Sequence, residues 1–255
     1  MGQQILVGFH AVIARIRQAP DSLTTVYYDF SRRDRRMKDF IESAQSVLGR
    51  RLHQADSARS RQLAGHDRHQ GVLAFAEPAA IARTIPELLD SLGKIPPLLL
   101  ILDGVTDPHN LGACLRVADG AGAHAIIVPK DRSAQLNTTV SKVASGAAET
   151  MPFVAVTNLA RAMRELQDAG VWVVGTTEDA QKTIYDIDLT VPIAIVMGAE
   201  GEGMRRLTKE TCDELVSIPM HGGVESLNVS VASGVCLYEV ARQRIALGVL
   251  PVQQK

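Results

Sequence analysis

The residue types that could do chemistry concentrate in three short polar segments in the second half of this 255-residue chain. Two of them directly follow apolar runs, and the third opens a long amphipathic stretch. The segments span residues 107–116, 198–203 and 226–232. Small ligands of α/β proteins bind in the crevice at the carboxyl ends of strands. We therefore interpret the three segments as strand-to-loop junctions that together form a ligand site.

The segment 198–203 is a glycine-dense loop that could approach a ligand closely. Its three glycines permit positive φ and leave backbone amides accessible. The spacing matches neither the dinucleotide fingerprint nor the P-loop. Glu200 and Glu202 disfavour phosphate and favour hydroxyls or a cationic ligand. S-adenosylmethionine has a sulfonium and a ribose but no phosphate, so it fits this loop better than NAD or ATP. The alternative is that the loop is a tight turn that needs glycine only for its geometry.

The polar residues of the other two segments allow a structural and a functional interpretation. Asn110 is suited to N-cap a helix that begins at Leu111, which is the alternative to a role in the site. Arg116 lies among apolar residues, where an arginine is costly unless it is paired or faces a cleft. Ser226 and Asn228 precede a helical pattern and could be simple caps, yet their apolar neighbours favour polar atoms that point into a pocket.

Composition and cysteine usage restrict the class of protein. The chain is 46% hydrophobic and 22% charged, which is typical of one large globular domain or two smaller ones. The first residues lack the basic region of a signal peptide, and no apolar run approaches the roughly 20 residues of a membrane span. We therefore expect a cytoplasmic protein without membrane association. The 3 cysteines are widely spaced and form no Cys-x-x-Cys pair, which argues against both a disulfide framework and a zinc site.

The charge is unevenly distributed along the chain. Residues 1–77 contain 12 Lys and Arg against 8 Asp and Glu, although the whole chain has a net charge of −1. A tight basic run is formed by Arg32, Arg33, Arg35 and Arg36. Guanidinium groups bind phosphates in a fork and release counterions, so this half suits a phosphate-rich partner. A solvated helix face is the alternative.

Hydrophobic patterning predicts two domains. Residues 5–76 mix short apolar runs with helical spacing and indicate a small α/β unit, and the proline-containing stretch 77–97 reads as a linker around a helical pattern at 81–92. Beyond it, strand and helix patterns alternate, which predicts a largely parallel sheet with helices on both faces. The predicted strands are 98–102, 125–128, 153–156, 171–174, 193–197 and 215–218. The predicted helices are 111–121, 138–147, 159–169, 204–210 and 229–245.

The three polar segments resemble, in the same order, the three signature motifs of the SpoU (TrmH) RNA 2′-O-ribose methyltransferases of the SPOUT superfamily. The matching residues are Asn110-x-Gly112-x-x-x-Arg116, Gly198-x-Glu200-Gly201-x-Gly203, and residues 219–232 with Ser226-Leu227-Asn228-Val229-Ser230. The N-terminal run 8–12 and residues 69–71 resemble the family's L30e-like substrate-binding domain. The resemblance covers essentially the whole chain.

Within this family, the segments 103–116 and 128–137 most resemble the bacterial members that methylate a guanosine ribose in the peptidyl-transferase P loop of 23S rRNA. The resemblance implies S-adenosylmethionine as cofactor and 23S rRNA or a large-subunit precursor as partner. A tRNA or other rRNA 2′-O-methyltransferase of the same family is the alternative, and a non-enzymatic RNA-binding module is a more remote one. A dehydrogenase would need a glycine fingerprint after the first strand, and residues 103–105 lack it.

The resemblance also implies an architecture that patterning could not show. Family members fold the C-terminal chain into a deep trefoil knot, bind the cofactor in it and work as homodimers with the active site near the subunit interface. The expected domains are an L30e-like domain at 1–76, a linker at 77–97, a SPOUT methyltransferase domain at 98–248 and a tail at 249–255.

The family comparison assigns roles to particular residues. We expect Arg116 to hold the phosphate beside the target ribose, so that a phosphate oxygen or Glu200 accepts the proton, because guanidinium is effectively always protonated. The expected catalytic residues are Arg116, Asn110, Glu200, Ser226 and Asn228. The expected cofactor contacts are Gly175, Thr176, Gly198, Ile218, Met220 and Leu227. The expected RNA contacts are Arg32, Arg33, Arg35, Arg36, His10 and Arg116.

Overall fold

The computed structural model describes residues 4–65, 69–77 and 83–249. The described chain divides into two compact units. The first comprises the described part of Met1–Ile81 together with Ser145–Thr150, and the second comprises the described part of Ala82–Ala144 and Met151–Lys255. Most of the predicted tail at 249–255 lies outside the described residues.

The N-terminal unit is built on a four-stranded sheet of order β1-β4-β2-β3, in which only β2 and β3 are parallel. Apolar runs at residues 26–28 and 71–75 predict two of its strands, and helical spacing at residues 11–16 and 40–48 predicts two of its helices. The strands are β1 (Gln4–Val7), β2 (Leu23–Asp29), β3 (Leu52–Ala55) and β4 (Val72–Ala76). The helices are α1 (Phe9–Gln18), α2 (Arg35–Leu48) and α3 (Ser57–Ala64), and α7 (Ala147–Thr150) belongs to the same unit.

The two long helices of this unit bury their apolar faces together. Phe9 of α1 and Phe40 of α2 meet edge to face, with ring centroids 5.6 Å apart. Asp34 caps α2 by accepting a hydrogen bond from the backbone N–H of Met37. Both rings are buried, so this contact joins the helices at the centre of the unit's core.

The C-terminal unit contains a seven-stranded sheet of order β7-β6-β5-β10-β8-β11-β9. All of its pairings are parallel, which confirms the predicted, largely parallel α/β sheet. Its strands are β5 (Leu98–Asp103), β6 (Ala125–Pro129), β7 (Phe153–Val156), β8 (Trp172–Thr176), β9 (Lys182–Thr183), β10 (Ile193–Gly198) and β11 (Glu214–Ser217). Its helices are α4 (Ile85–Leu92), α5 (Pro108–Ala121), α6 (Thr138–Ala144), α8 (Leu159–Asp168), α9 (Arg206–Thr211) and α10 (Val229–Ala246).

Central strands of this sheet are covered on both faces. Every residue of β5 is buried, and so are five of the six residues of β10. Alternate residues of a strand point to opposite faces, so such continuous burial requires covering layers on each side. Helices α4 and α8 contribute to the core on one face, where Leu88 and Met163 pack with Ile101.

Two predictions need correction in detail. The helix predicted at 138–147 is broken, because Ser145 and Gly146 have φ of 53° and 101° and end the helical run. The stretch 77–97 is not only connecting chain, because α4 begins at its Thr84 cap and buries Ile85 in the core of the C-terminal unit. Residues 78–82 lie outside the described part.

Among the residues that the structure describes, no helix combines the length and the apolar character needed to cross a membrane.

Gly112 allows two helices of the C-terminal unit to approach closely. A Cβ atom on this residue of α5 would lie 2.7 Å from the Cβ of Val143 on α6 and 3.0 Å from the carbonyl oxygen of Val140. Real Cβ atoms do not make contacts this short, and a backbone carbonyl cannot move aside cheaply. The glycine of the Asn-x-Gly motif therefore serves helix packing.

We expect Gly112→Ala to lower the free energy of unfolding by about 1–3 kcal/mol, because the added methyl group overpacks the contact between α5 and α6. Urea denaturation measures this difference. The matched control is Gly234→Ala in α10, where the new Cβ would lie 3.4 Å from Val117. Alanine favours helix over glycine, so the control should be neutral or slightly stabilising; equal destabilisation by the two substitutions would contradict the packing argument.

Candidate functional site

A cavity of about 460 Å³ lies at the carboxyl ends of β8, β10 and β11. The three strands are neighbours in a parallel sheet, so the loops that follow them emerge at one edge. The volume falls in the range of pockets that hold small molecules. Its walls are formed by Thr176, Thr177, Glu178, Asp179, Met197, Gly198, Ala199, Glu200, Gly201, Glu202, Gly203, Met204, Lys209, Ile218, Met220, Glu225, Ser226, Leu227, Val229 and Ala232.

The glycine loop folds back on itself as a closed turn. Ala199 and Gly203 exchange backbone hydrogen bonds of 3.1 and 2.9 Å. Gly203 has a φ of 67°, and a Cβ on Gly198 would lie 2.1 Å from its carbonyl carbon. Position 198 therefore has no room for any side chain. The geometry of the turn is therefore sufficient to explain Gly198 and Gly203. The backbone of the closed turn also lines the cavity.

Asn228 joins the polar segments into one hydrogen-bonded cluster. Its side-chain oxygen caps α10 by accepting hydrogen bonds from the backbone N–H and the hydroxyl of Ser230. Its amide nitrogen donates to Oδ1 of Asn110 at 2.9 Å and to Oε1 of Glu200 at 2.5 Å. An amide nitrogen carries two hydrogens, one for each acceptor. Asn228 is therefore the N-cap of α10, which confirms the structural interpretation, and its role in a site stays a prediction.

Asn110 does not cap its helix, which corrects one of the alternatives drawn from the sequence. Helix α5 begins at Pro108, and the side chain of Asp107 accepts the hydrogen bond from the backbone N–H of His109. Proline is favoured in the first helical turn, and Asp107 is a good N-cap. Asn110 therefore lies inside the first turn, and its side-chain oxygen accepts a hydrogen bond from Asn228.

Arg116 and Ser226 stand apart from this hydrogen-bonded cluster. Arg116 is exposed on α5, does not line the cavity and makes no hydrogen bond or ion pair within the described chain. The expected cost of an arginine that is neither paired nor facing a cleft does not arise, because the exposed side chain keeps its hydration. Ser226 is exposed and lines the cavity.

Five of the six expected cofactor contacts line the cavity, namely Thr176, Gly198, Ile218, Met220 and Leu227. The sixth, Gly175, is buried within β8 and is not part of the wall. A Cβ at Gly175 would lie 2.7 Å from the Sγ of Cys212 and 2.8 Å from the Cε of Met204. This glycine is required by the packing beneath the site.

The polar lining of the cavity is predominantly acidic. It contains five carboxylates and one lysine, and Lys209 already pairs with Asp179 at 3.3 Å. Two of the acids, Glu178 and Asp179, were not singled out from the sequence. The polar run directly after a strand, at residues 176–179, was the available signal for them. Such a wall repels phosphate and favours a ligand that carries positive charge.

An ion pair between a buried carboxylate and a half-exposed arginine anchors the chain that follows the glycine loop. The carboxylate of Asp103, fully buried at the end of β5, accepts hydrogen bonds from the backbone N–H of Arg205 at 2.8 Å and from its Nε at 2.6 Å. Asp103 is also the register partner of Gly198 on β10. Both ends of the loop are therefore held, one by strand pairing and the other by this pair.

Nothing in the described chain supplies a thiolate nucleophile or a metal centre. Burial raises the pKa of the Cys114 thiol to about 11 and that of Cys212 to about 12, so both are protonated at neutral pH. The described residues contain no group of three His, Cys, Asp or Glu that could hold a metal ion. The acids, amides and hydroxyls of the pocket are the groups available for chemistry.

The expected RNA contacts of the N-terminal unit differ in their exposure and in their contacts. Arg32 is half-buried, pairs with Asp34 at 2.8 Å and donates to the carbonyl of Gln70, so it stabilises the fold. Arg36 is exposed, and its guanidinium lies 4.5 Å from the ring centroid of Phe9. Arg33 and Arg35 are also exposed. His10 lies in α1, but its side chain is outside the described residues.

Solved structures of SpoU and TrmH/SpoU enzymes share this fold. The chain is 26% identical to the SpoU methyltransferase AviRb from Streptomyces viridochromogenes, solved in complex with the cofactor AdoMet, with a TM-score of 0.69 over 96% of this chain and 92% of that one. It is 28% identical to the A. aeolicus TrmH/SpoU tRNA modifying enzyme, with a TM-score of 0.57 over 67% of this chain and 88% of that one.

Sequence relatives narrow this class. The SpoU rRNA Methylase family matches residues 97–238, and the family described as RNA 2′-O ribose methyltransferase substrate binding matches residues 5–82. The 23S rRNA (guanosine-2′-O-)-methyltransferase RlmB of Ralstonia nicotianae is 64% identical, over 94% of this chain and 96% of the relative. The Escherichia coli protein of the same name is 52% identical, over 94% and 99%. The chain belongs to the SpoU rRNA methylase family.

We expect Arg205→Ala to lower the free energy of unfolding by about 1–3 kcal/mol, because it leaves the buried Asp103 carboxylate with the backbone N–H of residue 205 but without its charge partner. Thermal or urea unfolding measures the difference. The adjacent Arg206 is the matched control, since its pair with Glu210 is exposed and Arg206→Ala should cost less than about 1 kcal/mol. A similar loss of unfolding free energy in the two variants would show that the pair between Asp103 and Arg205 does not stabilise the loop.

Proposed function

We propose that this protein transfers a methyl group from S-adenosylmethionine to the 2′-hydroxyl of a guanosine ribose in 23S rRNA. The observation that carries the proposal is the acidic cavity that adjoins the Asn110–Asn228–Glu200 cluster. The relatives named 23S rRNA (guanosine-2′-O-)-methyltransferase support the substrate, and the AdoMet complex of AviRb supports the cofactor. The proposed substrate places the protein in the cytoplasm.

The cavity suits S-adenosylmethionine by shape and charge. Its carboxylates favour the sulfonium and ammonium groups, and Ile218, Met220 and Leu227 give apolar surface for the adenine. The closed glycine turn offers backbone amides and carbonyls without side chains in the way. When bound, the cofactor supplies an electrophilic methyl group on a positively charged sulfur. Charge attraction of this kind strengthens binding, but it does not by itself lower the barrier.

Methyl transfer to oxygen requires the ribose hydroxyl to lose its proton, and the chain offers one carboxylate in the hydrogen-bonded cluster. Glu200 is held by Asn228 and, at 3.4 Å, by the backbone N–H of Val229. These bonds occupy Oε1 and orient the carboxylate. We propose that Glu200 or an RNA phosphate oxygen accepts the proton, and that Asn110, Asn228 and Ser226 position the ribose.

Arg116 is proposed to hold the phosphate next to the target ribose. The guanidinium is exposed and unpaired within the described chain, so its full charge is available to RNA. It lies on α5, the same helix that carries Asn110 into the cluster. A guanidinium remains protonated, so it binds phosphate in a fork and does not act as the base.

We also propose the domain organisation and the knot that the family resemblance implies. The N-terminal unit is the RNA-binding L30e-like domain, and the boundaries 1–76, 77–97, 98–248 and 249–255 stay predictions. A trefoil knot at the C-terminal end is supported by strand order, because β10 lies between β5 and β8 and the loop after β11 returns to the cluster on α5. The cofactor contacts come from the loops of this region.

A homodimer is supported by an exposed apolar stripe on α10. Val231, Tyr238 and Ile245 are 52%, 54% and 39% exposed, and they recur every seven residues along one helix face. Exposed apolar residues that share one helix face favour association with a partner. We propose that a second copy of the chain covers this stripe.

We expect Arg116→Ala to reduce methyl transfer by about 100-fold or more while the affinity for S-adenosylmethionine stays within twofold, because the residue contacts only the RNA. Arg116→Lys should retain residual activity, since lysine keeps the charge but not the fork. Single-turnover methylation and calorimetric titration measure the two quantities. An equal loss of cofactor affinity in Arg116→Ala would refute the assignment.

We expect Tyr238→Glu to convert the protein from a dimer to a monomer of about 27.5 kDa, because a carboxylate in the apolar stripe cannot be buried without a partner. Sedimentation equilibrium measures the mass. Tyr185 is 53% exposed and lies outside α10, so Tyr185→Glu is the matched control and should stay dimeric. A wild-type protein that is monomeric would contradict the proposed assembly.

Two measurements test the proposed function itself. Calorimetric titration should detect S-adenosylmethionine binding, which a non-enzymatic RNA-binding module would lack. Mapping ribose methylation on rRNA and tRNA from cells with and without the protein should then show one 23S rRNA guanosine that loses its 2′-O-methyl group. A methylated position that disappears from tRNA or from another rRNA instead would identify a different substrate.

A further inference from the structure

A second cavity, of about 760 Å³, lies within the N-terminal unit, far larger than the space needed for one water or ion. It is a groove between α1 and α2 and has no part in the methyltransferase site described above. The side chains that line it are Ile13, Ile16, Arg17, Arg35, Arg36, Asp39, Phe40, Ser43 and Val47.

The groove has an apolar floor. Ile13 and Ile16 from α1 are half-buried, and Phe40 from α2 is buried beneath them. Val47 is 45% exposed, which leaves its side chain available at one end. An apolar floor of this kind can contact the face of a nucleobase, because every base has a π-face.

The rim of the groove is basic. Arg17 comes from α1 and Arg35 from α2, so cationic side chains approach from both walls, and Arg36 adds a third guanidinium. The only acid in the lining is Asp39, whose nearest contact with Arg35 is a long 3.8 Å between exposed groups. Such a pair neutralises little charge. The excess positive charge of the rim is complementary to phosphate, which favours a nucleic-acid occupant over a protein one.

We infer that this groove binds an unpaired nucleotide of the RNA, with its base on the aliphatic floor and its phosphates between Arg17 and Arg35. The inference rests on the proposed function and adds to it a specific site for a nucleotide other than the methylated one, since the methyl-transfer site lies wholly in the C-terminal unit. It also distinguishes among the arginines, because Arg32 pairs with Asp34, whereas Arg17 and Arg35 line the groove.

The test uses the full-length protein and a 23S rRNA transcript that contains the peptidyl-transferase loop. We expect Arg17→Gln combined with Arg35→Gln to weaken RNA binding about 10-fold and to lower the slope of log affinity against log salt by roughly 1.4, which corresponds to two lost phosphate contacts on single-stranded RNA. Val47→Asn removes floor without changing charge and should weaken binding about fivefold.

The matched control is Arg50→Gln, an exposed arginine of the same unit outside the groove, which should bind RNA within twofold of wild type. The affinity for S-adenosylmethionine should be unchanged in every variant, which reports that the C-terminal unit is intact. Ultraviolet crosslinking of the wild-type protein to a 4-thiouridine-substituted transcript should label peptides that contain residues 13–17 or 39–47, and this result does not depend on the folding of any variant.

Normal RNA affinity in the groove variants, or crosslinks confined to other segments, would overturn the groove as a nucleotide site while methylation by the wild-type protein continued. If the groove instead binds an acidic protein partner, RNA affinity would likewise be normal in the groove variants. If the wild-type protein neither bound nor methylated the transcript, the proposed function would fail and this inference with it.

Discussion

The site depends on one side-chain amide. Asn228 uses its oxygen to cap α10 and its nitrogen to bind both Asn110 and Glu200, so every hydrogen-bonding position of the side chain is occupied. Rotating the amide by 180° would set its oxygen against two other oxygens, so the contacts allow one orientation. Three segments separated by up to 118 residues along the chain meet through this group.

The parallel sheet makes this meeting possible. Because the strand ends that precede the loops lie at one edge, the loops share a cavity, and Asp103 holds the chain after the glycine turn through Arg205. The acids of the cavity favour a cation, but they also repel the phosphates of RNA and so disfavour RNA binding. The exposed charge of Arg116 and the basic rim of the N-terminal groove offset that repulsion in the proposed complex.

Much of the C-terminal fold, and most of the expected cofactor contacts that line the cavity, could be predicted from the sequence. Continuous apolar runs such as β5 and β10 indicate buried parallel strands, and polar residues directly after them indicate a ligand edge. Other features depend on contacts distant in sequence or on weak local patterns. Strand β3 has one buried residue, so no alternation is visible, and the pair between Asp103 and Arg205 joins positions 102 residues apart. The roles of Asp107 as cap and Asn110 as acceptor could be separated only once the start of α5 was known.

The central claim is that Asn110 and Asn228 act as one unit through their hydrogen bond. A double-mutant cycle on the rate of methyl transfer to 23S rRNA, with Asn110→Ala, Asn228→Ala and the combined variant at saturating S-adenosylmethionine, tests it most directly. The account predicts that the combined variant is little slower than the slower single variant, because the first substitution already breaks the cluster. Rate losses that multiply in the combined variant would show that the two residues act independently and would contradict the claim.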